Sequence, residues 1–242
     1  MKDIIKEFSK LIFIVQNLVS HIVRAVASNN QASKKILTYL YLELLYEKSS
    51  IPSIQIKPAN EYILKISSER ILDINRKMDE RFSLLTEKEL LVLLTLMKNA
   101  NPKTILEFGM MRGGSLYHFY LNTDENVKIL SLDLSDKNLL PSLRDILREN
   151  PRIQIHLGNT RQFDPSPYLK TIDFIFIDAG HSLEDVKNDT EKALSMISPG
   201  GTIVWDDYHP HYPGVYEYLN ELFINQKGLR HIEGTSLVFL KC

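Results

Sequence analysis

The stretch from Thr171 to Tyr208 constrains the fold more than any other part of the chain. It contains two apolar runs with strand character, Ile172–Ile177 and Thr202–Trp205, separated by a helical pattern from Ser182 to Met196. Two strands joined by a helix predict a β-α-β unit with parallel strands. Parallel strands end at the same edge of a sheet, and open α/β sheets bind ligands at that edge.

Three acidic residues and a histidine follow these two runs. Asp178 ends the first run and His181 lies three residues later, while Asp206 and Asp207 end the second run. We expect these four side chains to converge in one cleft. Three carboxylates in one cleft repel each other, and a divalent cation is the simplest group that would offset the repulsion.

The rest of the chain divides into two parts. Residues 1–100 contain no glycine and carry helical apolar spacings, which predicts a helical N-terminal region for capping or dimerisation. At residue 101 strand and helix patterns begin to alternate, which predicts an α/β fold over residues 101–242 with a doubly wound, mostly parallel, seven-stranded sheet. The two last strands are separated by Gly234-Thr235, which predicts a terminal hairpin with an antiparallel strand near one edge.

The individual elements follow from the same patterns. The predicted strands are Thr104–Phe108, Val127–Leu132, Arg152–Leu157, Ile172–Ile177, Thr202–Trp205, Leu229–Glu233 and Ser236–Leu240. The predicted helices are residues 1–27, Ile36–Tyr46, Glu61–Met78, Ser115–Leu121, Asn138–Glu149, Ser182–Met196 and Val215–Gln226, with a connector at Ile51–Pro58. One more helix, ending at Lys98, begins with the capping-box sequence Thr86-Glu87-Lys88-Glu89.

Composition excludes some partners and favours one compartment. The formal net charge of -1 argues against nucleic acid, because no excess of cationic side chains would neutralise phosphates. Cys242 is the single cysteine, so no disulfide can form within the chain and we expect a cytoplasmic protein. No uninterrupted apolar run reaches the ~20 residues that span a bilayer. We expect no integral membrane segment, and a homodimer formed through the N-terminal helices.

The first strand of the second part runs into a glycine-rich turn, Glu107-Phe-Gly109-Met-Met-Arg-Gly113-Gly114-Ser115. Glycines at such a turn let the backbone approach a ligand closely. A methionine stands where the dinucleotide fingerprint needs its second glycine, so NAD and FAD fit poorly. Asp133 closes the next strand, where a carboxylate can accept both hydroxyls of a ribose. This combination suits a nucleoside that carries positive charge.

These motifs resemble the S-adenosylmethionine site of class I methyltransferases. The resemblance extends over about residues 101–242 and includes Pro199-Gly200-Gly201 and the terminal hairpin. It implies that Glu107 and Gly109 line the methionine side, that Asp133 holds the ribose, and that Gly158 and Asn159 lie near the adenine. The cofactor-binding residues implied in this way are Glu107, Gly109, Gly113, Gly114, Ser115, Asp133, Gly158, Asn159 and Asp178.

The D-x-x-H motif at Asp178 and His181, with the paired acids, is similar to metal-dependent O-methyltransferases. The nearest branch resembles cephalosporin-hydroxylase-like proteins and macrolide-sugar O-methyltransferases, which share the G-G-S turn, I-D-x-x-H and the paired acids. Asp207 stands where catechol-type members have Asn, and the added charge favours a hard cation such as Mg²⁺. The resemblance implies a metal site of Asp178, Asp206 and Asp207.

The chemistry gives His181 and Asp178 catalytic roles. A cation would lower the pKa of an acceptor hydroxyl, and His181, with an ordinary pKa of about 6.5, can take its proton. We therefore expect an S-adenosylmethionine-dependent, Mg²⁺-assisted O-methyltransferase for a small molecule or sugar. A catalytically silent cofactor-binding scaffold and a metal-independent methyltransferase remain alternatives. His181 can also bind substrate rather than act as the base, and residues 161–170 can act as a lid.

Aromatic and histidine side chains flank the acidic pair Asp206-Asp207. We expect this group to form a substrate rim beside the acids. The candidates are Trp205, Tyr208, His209, His211 and Tyr212.

Overall fold

The structure, a computed structural model, describes residues 51–56 and 85–242, and the elements are numbered within those residues. The strands are β1 Ser53–Ile54, β2 Thr104–Phe108, β3 Lys128–Asp133, β4 Ile153–Leu157, β5 Ile172–Ile177, β6 Ile197–Trp205, β7 Arg230–Ile232 and β8 Val238–Lys241. The helices are α1 Glu87–Ala100, α2 Gly114–Leu121, α3 Pro141–Glu149, α4 Leu183–Met196 and α5 Pro213–Asn225. Two short 3₁₀ turns, Thr160–Gln162 and Ser166–Tyr168, connect β4 to β5.

All the described strands form one sheet in the order β1-β7-β8-β6-β5-β2-β3-β4. Strands β2 to β6 pair in parallel, whereas β8 runs antiparallel to both β6 and β7. The chain moves from β2 outward to β4 and then returns to the other side of β2 with β5. The carboxyl ends of β2 and β5 therefore flank the point where the strand order reverses, which is where such sheets bind ligands.

The predicted fold class is confirmed, with one strand added. All seven predicted strands are present, and the eighth is β1, which pairs in parallel with β7 from within the predicted connector. The sequence pattern did not reveal β1 because it has only two residues and follows a proline. The predicted helices at residues 1–27, 36–46 and 61–78 lie outside the described residues, and so does the predicted dimer contact through them.

Helix α1 forms part of the central core. Its apolar face packs against β5 and β6, and its Leu90, Leu93 and Met97 are buried. These side chains share one cluster with β-strand residues such as Phe174 and Phe176. Although α1 precedes residue 101, it packs on the sheet as the helices of doubly wound folds do. The division into residues 1–100 and 101–242 stays a prediction.

Local signals fix the helix starts. Thr86 caps α1, and the predicted capping box is present, with Glu89 accepting from the Thr86 amide at 2.8 Å. Ser182 caps α4 by accepting from the Asp185 amide. Helix α3 begins at Pro141 instead of the predicted Asn138, in keeping with proline's preference for the first turn.

The terminal hairpin has a longer connection than the predicted two residues. Residues 233–237 lie between β7 and β8. Ser236 lies in this connection, where its amide donates to Glu89 Oε1 at 2.8 Å and its hydroxyl lies at the same distance from that oxygen. Within the described residues no helix is long and apolar enough to cross a membrane.

Candidate active site

A cavity of about 480 Å³ opens at the carboxyl ends of β2 to β6. Most of the predicted site residues line it, while Glu107, Gly113 and Asp206 do not. The predicted residues that line the cavity are Gly109, Gly114, Ser115, Asp133, Gly158, Asn159, Asp178, His181 and Asp207. Sequence reasoning missed the lining residues Leu85, Arg112, Leu134 and Asp185, since no spacing rule marks them.

Gly109 lets three strand ends meet. Its φ is +90°, and a Cβ there would lie 1.8 Å from the Asp178 carbonyl oxygen. Its amide donates to Leu132 at 2.8 Å, and the Asp178 amide donates to Phe108 at 2.8 Å. The glycine turn of β2 therefore lies directly against the end of β5, which brings Asp178 to the cavity wall.

Asp133 organises the glycine turn. One carboxylate oxygen accepts the amides of Met110 and Met111, at 2.8 and 2.7 Å, and the other accepts that of Ser135 at 3.1 Å. A carboxylate has about four acceptor sites, so Asp133 keeps capacity for a ligand hydroxyl. Beside it, Leu134 is 73% exposed and offers an apolar surface at the cavity.

Glu107 supports the turn from inside the protein. It is fully buried and accepts from the hydroxyls of Ser115, at 2.5 Å, and Ser131, at 2.8 Å. Burial raises the pKa of Glu107 to about 7, although the two hydroxyl donors act in the opposite direction. Glu107 therefore does not line the cavity itself. It supports Ser115, which does.

Asp178, His181 and Asp207 form a compact group at the cavity. Each offers one ligand atom, and these atoms all lie within 4.8 Å of one another. His181 Nε2 lies 2.7 Å from Asp207 Oδ2, and this hydrogen bond raises the pKa of His181 against the opposing effect of burial. The Tyr212 ring packs on the His181 ring with centroids 4.5 Å apart.

Asp206 lies outside this group. Its side chain is buried, and its Oδ1 accepts from the Asp207 amide at 2.7 Å and contacts the Ser236 hydroxyl at 2.5 Å. Burial, together with the negative charges of Asp207 and Glu89, raises the pKa of Asp206 to about 7. The structure therefore brings together three of the four predicted residues and directs the fourth into the protein.

The residues of the predicted aromatic rim differ in burial: some lie in the core and others at the surface. Trp205 and Tyr208 are buried, with the Trp205 indole donating to Thr190 and the Tyr208 hydroxyl donating to Asn220, each at 2.9 Å. The expected rim position of these two residues is wrong, because both side chains pack inward from the sheet. Tyr212 lines the cavity, as predicted.

The segment predicted as a lid is held against α4. Arg161 pairs with Asp185 at 2.8 Å and Glu184 at 3.1 Å. The Lys192 ammonium donates to the carbonyls of Arg161 and Phe163, at 2.9 and 2.8 Å. These contacts fix the start of the segment at the cavity rim.

The cavity residues fit both groups that the sequence implies. A glycine turn, an acid at a strand end and an apolar surface can receive a positively charged nucleoside. Two carboxylates and an imidazole within one small group can hold a divalent cation, since oxygen ligands suit Mg²⁺ and imidazole also suits several transition metals.

Residues 106–208 match a protein family described as "Methyltransferase domain". The matched stretch runs from β2 to the end of β6 and contains the glycine turn, Asp133 and the group at Asp178. The predicted resemblance to methyltransferases is confirmed over these residues.

One curated relative matches part of the chain. An uncharacterised protein of Acanthamoeba polyphaga mimivirus is 31% identical over 120 residues, which cover 45% of this chain and 52% of that protein. The chain thus spans about half the length of the relative that it matches.

Solved structures share the fold at low sequence identity. An O-methyltransferase of tomaymycin synthesis from Streptomyces achromogenes, in complex with S-adenosylmethionine, is 16% identical over 74% of this chain and 92% of its own, with a TM-score of 0.56. An O-methyltransferase from Bacillus cereus, in complex with S-adenosylhomocysteine, is 20% identical over 72% of this chain and 90% of its own, with a TM-score of 0.55. At these identities the likeness establishes the fold.

Proposed function

We propose that this protein is an S-adenosylmethionine-dependent O-methyltransferase that acts on a hydroxyl of a small molecule or sugar. One observation carries this proposal: a turn suited to the cofactor and a group of acidic and histidine side chains line the same cavity. The glycine turn with Asp133 forms one wall, and the group of Asp178, His181 and Asp207 forms another. The methyltransferase domain and the O-methyltransferase names of the structural neighbours support the same reaction.

The cofactor would lie along the glycine turn. Asp133 would accept from a ribose hydroxyl, while Leu134, Gly158 and Asn159 would enclose the adenine. When bound, S-adenosylmethionine would supply a methyl group activated by a sulfonium. The residues of this wall would bind and orient the cofactor. Preorganised geometry of this kind can lower the activation barrier of a reaction by several kcal/mol.

His181 is the proposed general base. Its Nε2 lies 2.7 Å from Asp207 Oδ2, so Nε2–H would donate to that carboxylate and the lone pair of Nδ1 would accept a proton. The Asp207 carboxylate would stabilise the imidazolium that forms when His181 accepts the proton of an acceptor hydroxyl. A positioned base of this kind typically contributes about 10²–10⁴-fold in rate.

Asp178 and Asp207 are the proposed Mg²⁺ ligands. Magnesium usually keeps several waters and takes only one or two protein carboxylates, so these two suffice without Asp206. The cation would lower the pKa of the acceptor hydroxyl. Asp178 and Asp207 would thereby keep the acceptor hydroxyl beside His181.

Calorimetry with the purified full chain tests the cofactor proposal. S-adenosylmethionine should bind at micromolar concentration, and Asp133→Ala should abolish detectable binding, whereas Asp145→Asn on the outer face of α3 should leave it unchanged. Absence of binding to the wild-type protein would refute the proposal.

Methyl transfer to a panel of glycosides and catechols tests the reaction. Turnover should occur with the wild-type protein and fall at least 100-fold with Asp178→Ala. Binding without turnover across the panel would favour the silent scaffold. Turnover that survives complete chelation would instead favour a metal-independent methyltransferase.

A further inference from the structure

Asp207 has an unusual backbone conformation at the centre of the candidate site. Its φ is +60°, in the left-handed region that residues other than glycine seldom adopt. Such a conformation persists only where the surrounding structure enforces it. The contacts on either side of Asp207 therefore decide where its carboxylate lies.

Ser236 contacts the residues on both sides of Asp207. Its carbonyl accepts the amide of Tyr208 at 2.9 Å, and its hydroxyl lies 2.5 Å from Oδ1 of Asp206. The same Oδ1 accepts the Asp207 amide at 2.7 Å. One residue from the loop between β7 and β8 thus holds the residues before and after Asp207.

Glu89 in turn holds Ser236. Its Oε1 accepts the Ser236 amide and lies within hydrogen-bond distance of the Ser236 hydroxyl, at 2.8 Å each. Its Oε2 accepts the amide and hydroxyl of Thr86, also at 2.8 Å each. Glu89 is 8% exposed, so it is anchored at both oxygens in the interior, at the first turn of α1.

The contacts form a continuous chain from α1 to the site. Glu89 fixes Ser236, Ser236 fixes Asp206 and Tyr208, and these fix Asp207, whose Oδ2 lies 2.7 Å from His181 Nε2. The capping box accounts for the Oε2 contacts of Glu89 but not for its Oε1 contacts. Neither Glu89 nor Ser236 lines the cavity.

We propose that Glu89 and Ser236 are positioning residues that set the Asp207 carboxylate, and through it His181, for cation binding and proton transfer. The inference rests on the proposed function for its chemistry. Its geometry can be tested in the protein without any ligand. Partners that orient metal-binding residues from outside the site typically change metal affinity by about 10–100-fold when they are removed.

The test compares three variants of the full chain. Ser236→Ala removes the hydroxyl bridge, Ser236→Thr restores a hydroxyl, and Thr86→Ala removes the cap of α1 while leaving Glu89, Ser236 and Asp206 in contact. Circular dichroism confirms that each variant is folded. Calorimetry with S-adenosylhomocysteine should give affinities within about twofold of the wild type, because the glycine turn is unaltered.

Two readouts decide the outcome. Electron paramagnetic resonance with Mn²⁺ as the probe should show affinity weakened by about 10–100-fold in Ser236→Ala, restored in Ser236→Thr and unchanged in Thr86→Ala. In metal-free protein, the His181 ring ¹⁵N resonances should move in Ser236→Ala alone. Wild-type Mn²⁺ affinity and unmoved His181 resonances in Ser236→Ala would overturn the positioning role.

The two proposals fail in different ways. If the wild-type protein binds no Mn²⁺, the proposed cation site is wrong, and the His181 resonances still test whether Ser236 positions Asp207. If the wild-type protein binds Mn²⁺ and all three variants bind it equally, the cation site stands and the positioning role is refuted.

Discussion

At the scale of single residues, Glu107 was predicted to line the methionine side of the cofactor site, but it supports the glycine turn from the interior. The sequence places an acid before the glycine turn, and the structure surrounds that acid with two serine hydroxyls in the interior. A carboxyl in such a place is held neutral to a higher pH than usual because its ionised form loses hydration.

Glu107→Gln should therefore change how stability depends on pH. The wild-type carboxyl has an ordinary pKa of 4.5 in the unfolded chain and about 7 in the folded protein. Between these values the folded state binds more protons, so the wild type loses stability as pH rises. The stability advantage of the wild type over the glutamine variant should shrink by about 3 kcal/mol from pH 4.5 to pH 8.

Urea unfolding of both proteins across this range measures the difference. Other titrating groups are shared by the two proteins and cancel in the comparison. A constant difference across the range would show that Glu107 does not titrate with a raised pKa.

Gly109→Ala should be among the most damaging single changes in the domain. The new methyl group would meet the Asp178 carbonyl at 1.8 Å, and the backbone has a positive φ that alanine disfavours. Overpacking costs about 1–3 kcal/mol and the conformation about 1 kcal/mol more. Gly228→Ala is a suitable control, since its methyl group would meet only the end of the Leu240 side chain, at 2.9 Å. Equal urea midpoints for the two variants would contradict this explanation.

At the scale of elements, β1 combines its backbone pairing with a side-chain hydrogen bond to β7. His231 Nε2 lies 2.8 Å from the Thr235 carbonyl, so it carries the proton, and Nδ1 accepts from the Ser53 hydroxyl at 2.8 Å. Burial lowers the pKa of His231, which favours this neutral form.

Ser53→Ala should loosen β1 without unfolding the domain. A lost hydrogen bond costs about 0.5–1.5 kcal/mol, or more where an acceptor is left unpaired. The amides of His231 and Glu233, which donate to the carbonyls of Pro52 and Ile54 at 3.0 and 2.9 Å, should exchange with solvent about 2- to 10-fold faster. The Ile232 amide donates to Leu237 instead and should keep its rate. Uniform rates for all three would argue against a local role of Ser53.

At the scale of the whole molecule, the reversal of strand order creates the site. The strands that carry Asp133, Asp178 and Asp207 are far apart in sequence, but parallel pairing brings their carboxyl ends to one cavity. Helix α1 and the loop after β7 close the opposite side of the Asp207 segment. Because carboxylates at one cavity repel each other, a bound divalent cation should increase the stability of the fold.

Divalent cations should raise the thermal midpoint of the wild-type protein. A ligand at 100 times its dissociation constant adds about 2.7 kcal/mol to stability. Mg²⁺ or Mn²⁺ should therefore shift the midpoint upward, and chelation should reverse the shift. Asp178→Asn should remove the effect, whereas Asp145→Asn, with its side chain on α3, should retain it. A shift of the same size in both variants would indicate non-specific ion effects.

The sequence by itself determined the alternation of elements and the edge of the sheet where the candidate site lies. Apolar runs that end in Asp133, Asp178 and Asp207 predicted both, because strand periodicity and strand ends are local properties of the chain. The glycine turn at Gly109 was equally local, since positive φ and close approach restrict the residue type. These features also carried the resemblance to the methyltransferases.

Only the tertiary structure decided which neighbouring acid faces the cavity. Asp206 and Asp207 look equivalent in sequence, yet Ser236 and Glu89, distant along the chain, draw one inward and leave the other beside His181. The strand β1 and the burial of Trp205 and Tyr208 were settled in the same way. Contacts between residues far apart in sequence depend on how the elements pack, and no spacing within a single segment records them.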